Sequence, residues 1–249
     1  MRIATVTPYY KETPAILQRC HASVAGQTYP CDHILVADGY PADCVEAWGV
    51  RHIRLDAAHA DFGCTPRCIG AISAILEGYD AVALLDADNW FAPDHIKACV
   101  AALQRSDADI VFSGRRLITP DGRLLDIEEE ADISQTSADT SCYVISAKAA
   151  FTLPWWGLMN APLKPACDRF MFQLLKARQL KMVWTQTKSV FFETNYASHF
   201  KAAGLPPPAS PHDHHLPSPQ QYVAAVQSPL TAQRLGFPIR TSWTPPSTQ

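Results

Sequence analysis

The stretch Ala81 to Phe91, AVALLDADNWF, runs an apolar segment straight into Asp86, Ala87, Asp88 and Asn89. An unpaired charge is costly to bury, so two carboxylates at the mouth of such a segment are either an acidic loop or a place that holds a cation. Asp86 and Asp88 are two apart, which in extended backbone points both side chains to one side. Hard oxygen donors of this kind suit Mg or Mn, shared with phosphate and water.

Working outward, short apolar runs alternate with helical patterns. Ile3–Thr7, His33–Gly39 and Arg51–Leu55 read as strands before the one ending at Asp86, and Ala108–Gly114 as a fifth. Between them, Thr13 as N-cap and Pro14 at the first helical position open a helix carrying Leu17, Cys20, His21 and Val24 on one face. Pro41–Trp48, Pro66–Gly78 and Pro93–Gln104 read as further helices, and RRLITPDGRLL as a hairpin around Pro-Asp-Gly. Strands and helices alternating at this spacing predict an α/β fold with a doubly wound, mostly parallel sheet.

The second half is less regular. SCYVIS and Met182–Thr185 read as strands, Ala147–Phe151 as a short helix and Asp168–Ala177 as a longer amphipathic one. Ten of the 20 prolines fall between 204 and 249, beginning with LPPPASPHDHHLPSP. Each proline removes an amide donor and restricts its neighbour, so this tail is expected to be an extended segment wrapping the domain or partly disordered, with one short helix near Gln220–Val226. The chain thus divides into 1–203, with halves 1–114 and 115–203, and a Pro-rich extension 204–249.

Ligands of open parallel sheets bind outside the carboxyl ends of the strands. Thr7, Pro8 and Tyr9 follow the first strand, Asp38 and Gly39 the second, and Asp86, Ala87 and Asp88 the fourth, so three strand ends deliver polar groups to one rim.

IATVTPYYKE, ILVADG, the Arg67 helix, ALLDADNWFAPDHI and ACDRFMFQLLKARQLKMV stand in the order and spacing of family-2 glycosyltransferases. The chain resembles that family over roughly Met1 to His199, and the resemblance implies the GT-A fold, with an acceptor-side subregion. It also implies metal-dependent, inverting transfer of a sugar from a nucleotide diphosphate sugar, UDP-linked by expectation, to a hydroxyl of a glycan or lipid-linked acceptor. Thr7, Pro8 and Tyr9 would line the nucleotide, and Asp38 would hydrogen-bond its base; the plainer alternative is that Asp38 starts a turn. The family often has a second Asp before that position and a Ser after the Gly, where this chain has Ala37 and Tyr40. Arg67 would reach the donor nucleotide or diphosphate, or remain a solvated helix residue. Asp88 would ligate the metal, with Asp86 and Ala87 on the donor. Of the family's acidic pair at a helix start only the second acid is present, Asp168 after Cys167, and it would be the general base; otherwise it is a helix cap. His199 would serve the metal or diphosphate, or lie in the core. Trp155 and Trp156 would form an acceptor platform, or core.

Two other functions remain open: a sugar-1-phosphate nucleotidyltransferase, although TPYYKETP lacks the glycines of a phosphate loop, and a nucleotide-sugar or glycan binder without turnover. His212, His214 and His215 lack a scaffold that fixes metal geometry, and Glu128–Glu130 read as a solvated loop. With 21 Lys plus Arg against 24 Asp plus Glu, the charge of −3 offers no basic field for nucleic acid. No apolar run reaches the about 20 residues that span a bilayer, and the N-terminus turns polar too soon for a signal peptide, so a cytoplasmic protein with at most peripheral membrane contact is expected. The 8 cysteines, Cys20, Cys31, Cys44, Cys64, Cys68, Cys99, Cys142 and Cys167, form no C-x-x-C pair and are expected reduced.

Overall fold

A computed structural model describes residues 1–127, 135–211 and 217–237. Glu128–Glu130 and His212, His214 and His215 lie outside the described residues. The strands are β1 (Ile3–Tyr9), β2 (Asp32–Asp38), β3 (Arg51–Leu55), β4 (Ala81–Leu84), β5 (Trp90–Phe91), β6 (Ile110–Ile118), β7 (Leu124–Leu125), β8 (Tyr143–Ser146) and β9 (Met182–Glu193). The α-helices are α1 (Pro14–Ala25), α2 (Asp43–Glu46), α3 (Cys64–Leu76), α4 (His95–Ser106), α5 (Pro154–Leu158), α6 (Cys167–Ala177), α7 (Ala197–Ala202), α8 (Pro219–Val226) and α9 (Pro229–Leu235).

One sheet holds them in the order β3-β2-β1-β4-β8-β6-β9-β5, with β7 paired to β6. β1 to β4 are mutually parallel, as the alternation of strand and helix predicts. β8 then enters antiparallel between β4 and β6, and β6 and β9 run parallel beyond it. β8 therefore begins at the rim where its neighbours end. β1, β2 and β4 are buried almost throughout, as strands covered on both faces must be.

Local chemistry sets the helices that aim the site. Thr13 caps α1 by accepting the Ile16 N–H, with Pro14 in the first turn. α3 starts two residues before the expected Pro66, because Gly63 takes a left-handed conformation (φ 73°) that lets the chain turn into the helix at Cys64. Gly70 of α3 lies flat on the sheet: a Cβ there would stand 2.6 Å from Val6 Cγ1 and 2.7 Å from Val36 Cγ2.

Several expectations needed correction. β9 continues eight residues past Thr185, to Glu193. The polar Thr185–Lys188 segment, with Gln186 at φ 61°, bulges out of register with β6 before pairing resumes at Gly114 and Lys188, so the alternation that marks a strand is interrupted. The short β5, paired with Val190 and Phe191 of β9, had no signal of its own. The tail between 217 and 237 carries two helices rather than one, and Tyr222, Ala225, Val226 and Leu235 join the main hydrophobic core. All eight cysteines are free thiols. Among the described residues no helix is long and apolar enough to cross a membrane.

Candidate active site

The rim formed by the ends of β1, β2 and β4 and the start of β8 gathers the site. Asp86 follows β4 and is gripped by Arg67, whose Nη2 donates to Asp86 Oδ1 at 2.6 Å. Arg67 is only 2% exposed; its guanidinium also donates to the Phe62 carbonyl and lies 5.1 Å from the centre of the Trp156 ring. Burial works against its charge, but Asp86 and the Cys167 and Cys64 thiols raise its affinity for the proton, so it stays cationic. In this structure the partner of Arg67 is Asp86, and its bed is an indole.

The backbone of the Asp86–Asn89 turn is held from two sides. Ser141, in the 3₁₀ turn before β8, accepts from the Asp86 N–H and from Asn89 Nδ2. Arg19 of α1 donates to the Asp88 carbonyl at 2.8 Å, pairs with Glu193 at the end of β9 at 2.5 Å, and covers the Trp90 ring. Ala87 is buried against Tyr9 and Leu17, so its contribution to the rim is packing and backbone.

Asp88 projects into solvent. Desolvation at the rim and the like charges of Asp86, Asp139 and Glu12 push its carboxyl up to about 7. Because Asp88 is exposed, the crowd of negative charge is the stronger physical cause. Asp139 stands in the same cluster: burial, opposed by Arg115 at 2.9 Å and aided by Asp86 and Asp168, pushes its carboxyl to about 6. Asp168, in the first turn of α6, is raised by burial, opposed by Arg169, and feels Asp86 as well. The chain thus brings Asp86, Asp88, Asp139 and Asp168 into one electrostatic cluster from three separate segments.

The remaining expected residues sit around this centre in different ways. His199 of α7 shares a 2.7 Å hydrogen bond with Thr194 and packs edge-on against Tyr196; burial and then Asp139 raise the Tyr196 hydroxyl to about 12. His199 is thus one aromatic layer behind the carboxylates. Thr7, Pro8 and Tyr9 are buried, with Thr7 Oγ1 2.9 Å from His33 Nε2 and the Tyr9 hydroxyl 2.7 Å from His52 Nε2. Asp38 is buried too, and its oxygens accept from the His59 and Ala60 N–H groups. Trp155 and Trp156 follow the core alternative rather than the platform. Both are buried, Trp156 beneath Arg67 and against Tyr143, Trp155 between Phe151 and Phe237, so neither offers a face to a sugar.

Among the described residues no three or more His, Cys, Asp or Glu side chains converge as a ready set of metal ligands. A cavity of about 430 Å³ lined by His21, His33, Arg51 and Tyr79 opens at the opposite ends of β2 and β3, away from these carboxylates. Sequence reasoning missed Asp139, Ser141, Arg19 and Glu193. Asp139 did leave a signal: in ADTSC its side chain accepts the Ser141 N–H, an Asx-type turn opening.

Residues 71–155, which include Asp86, Asp88, Asp139 and Ser141, match the family described as Glycosyl transferase family 2. Over that stretch the chain is similar to this family. A relative, the succinoglycan biosynthesis protein ExoW of Rhizobium meliloti (strain 1021), is 30% identical over 135 residues, which are 45% of this chain and 37% of that protein. Among solved structures, S. aureus TarS 1-349 with UDP-GlcNAc superposes with a TM-score of 0.64 at 13% identity, over 94% of this chain and 66% of that one. TarS 1-349 with UDP gives 0.60 at 14%, over 82% and 63%. This likeness shows the fold, the GT-A arrangement expected from the sequence; the chain spans little more than a third of ExoW.

Proposed function

We propose that this chain transfers a sugar, with inversion, from a nucleoside diphosphate sugar, a UDP-sugar in the first instance, to a hydroxyl of a glycan or lipid-linked acceptor. The observation that supports the reading is the gathering of four carboxylates at the ligand rim of the sheet: Ser141 ties the Asp86–Asp88 turn to Asp139, and Tyr143 of the adjoining β8 donates to the Asp168 carbonyl. ExoW, by its description a succinoglycan biosynthesis protein, and TarS, solved with UDP and UDP-GlcNAc, point the same way.

Asp168 acts as general base. Burial raises its carboxyl toward the working range of a base, and it takes the proton of the acceptor hydroxyl as that oxygen attacks the anomeric carbon, a contribution of about 10²–10⁴-fold. Asp86 keeps a second negative charge near Asp168 and so sustains its basicity, while Asp139, itself raised by Asp168, is held in place by Arg115. Arg67 locks Asp86, and Arg19 and Ser141 lock the backbone of the turn, so that Asp88 presents its carboxylate without reorganisation.

The carboxylate oxygens crowded at this rim are the donor chemistry that Mg or Mn prefers. Asp88, with the donor's own phosphates and water, would hold such an ion, and His199, packed against Tyr196, would serve the metal or the diphosphate. When bound, the ion neutralises charge on the departing diphosphate.

Release of UDP from a panel of UDP-sugars, paired with calorimetric UDP binding, tests the assignment. Asp168→Asn is expected to bind UDP as the parent does and to lose transfer by about 10²-fold or more; Asp88→Ala is expected to lose Mn-dependent donor binding. Full transfer by Asp168→Asn would overturn its role as the base.

A further inference from the structure

The expected reader of the base, Asp38, is not free to read anything. It ends β2 at 3% exposure, and its oxygens are taken by the loop that follows β3. Oδ1 accepts the His59 N–H at 2.9 Å and lies 2.8 Å from His59 Nδ1, and Oδ2 accepts the Ala60 N–H at 2.9 Å.

The loop is tied there on purpose-built backbone. Gly39 (φ 79°) lies so close that a Cβ would stand 2.5 Å from the Ala58 nitrogen. Ala60 and Phe62, neither of them glycine, adopt left-handed φ of 49° and 60°, conformations that cost about 1–3 kcal/mol each and gather where surrounding structure imposes a function. Downstream, Asp61 anchors the same loop through Thr65 and a 2.6 Å ion pair with Lys164.

What this machinery presents is an imidazole. His59 is exposed, and since a carboxylate only accepts hydrogen bonds, Nδ1 carries the proton toward Asp38. In the neutral ring Nε2 is then an acceptor with a fixed direction. Exposed aromatic rings stand close to it in the chain and form a shelf: Tyr40 is 45% and Phe62 50% exposed, and Tyr10 meets Tyr40 edge to face, with Lys11 above both rings. This shelf follows the ends of β1, β2 and β3, and Phe62 joins it to the charged centre because its carbonyl is bonded to Arg67. A ligand whose charged part occupies the carboxylate cluster would lay a planar, uncharged part along the shelf.

We propose that His59, oriented by buried Asp38, is the residue that selects the donor's base: Nε2 accepts the ring N–H that uracil carries and cytosine lacks. The assignment rests on the proposed use of a nucleoside diphosphate sugar and names the chemistry of its base. Asp38 is a positioning residue in this arrangement. Tyr40, which stands where the family often has Ser, supplies the shelf rather than a hydrogen bond.

Calorimetric titration of the full chain with UDP and with CDP, Mn present throughout, tests it through the ratio of the two affinities. The parent is expected to favour UDP by about tenfold, the value of one hydrogen bond that the competitor cannot make. His59→Ala is expected to bring that ratio near one. Asp38→Ala removes the carboxylate that holds the ring and its tautomer, and is expected to lower the same ratio while leaving the imidazole in place. A parent that binds UDP and CDP equally, or a ratio unchanged in both variants, overturns the role of His59 while leaving the proposed transfer standing. A parent that binds neither nucleotide overturns the proposed function and this inference together.

Discussion

At the scale of single residues, the carboxylates at the rim are a source of instability that the fold retains. A carboxyl of ordinary value near 3.9 unfolded and about 7 folded loses nothing below pH 4, where both states hold the proton. Between these values the unfolded chain ionises first, so stability falls as pH rises, and above 7 the whole cost is present. Asp88→Asn removes it. Discounted for the exposure of Asp88, a gain of about 1 kcal/mol, roughly 2–4 °C in Tm, is expected at pH 8 and none at pH 4. Scanning calorimetry at the two pH values decides it, and an equal gain at both would sink the like-charge account. The sequence displayed this pair openly because Asp86 and Asp88 are neighbours in the chain. It could not display that Arg67 is buried on Trp156, or that Asp38 is consumed by a loop 21 residues on, because burial and hydrogen-bond partners of this kind are set by tertiary packing.

At the scale of elements, β1 to β4, α1 and α3 were legible because each carries its own period, cap or glycine. β8 was legible as a strand but not in direction. Running antiparallel, it brings its beginning to the rim, so Asp139 and Ser141 lie before a strand where a search of strand ends passes them over. β9 hid half its length behind the Thr185–Lys188 bulge. The contact that fixes α3 is narrower still. Gly70 has no clearance over Val6 and Val36, so Gly70→Ala must push the helix from the sheet or force both valines off their rotamers. A loss of about 1–3 kcal/mol is expected, read as a lower denaturant midpoint with an unchanged slope. Since Arg67 rides on the same helix one turn earlier, UDP binding should weaken as well. A stability equal to that of the parent would show that α3 is not seated as described.

At the scale of the whole molecule, the Pro-rich tail is the part that composition misjudged. Prolines forbid one long helix, but they do not forbid two short ones that begin at Pro219 and Pro229. Tyr222 meets Phe170 of α6, and Phe237 meets Trp155 of α5, so the tail covers the helices that carry Asp168 and the Trp pair. A chain ending at residue 203 would leave those aromatics uncovered and is expected to melt at least about 5 °C below the full chain; an unchanged melting temperature would show that the tail is ornament. Arg19 works across the same distances, joining α1, the turn after β4 and the end of β9. It grips residue 88 by the carbonyl, which every amino acid possesses, and not by the side chain. In evolutionary terms the path of the turn is therefore uncoupled from the identity of residue 88: a lineage can exchange that side chain, and the chemistry it brings, without untying the knot that holds the site open.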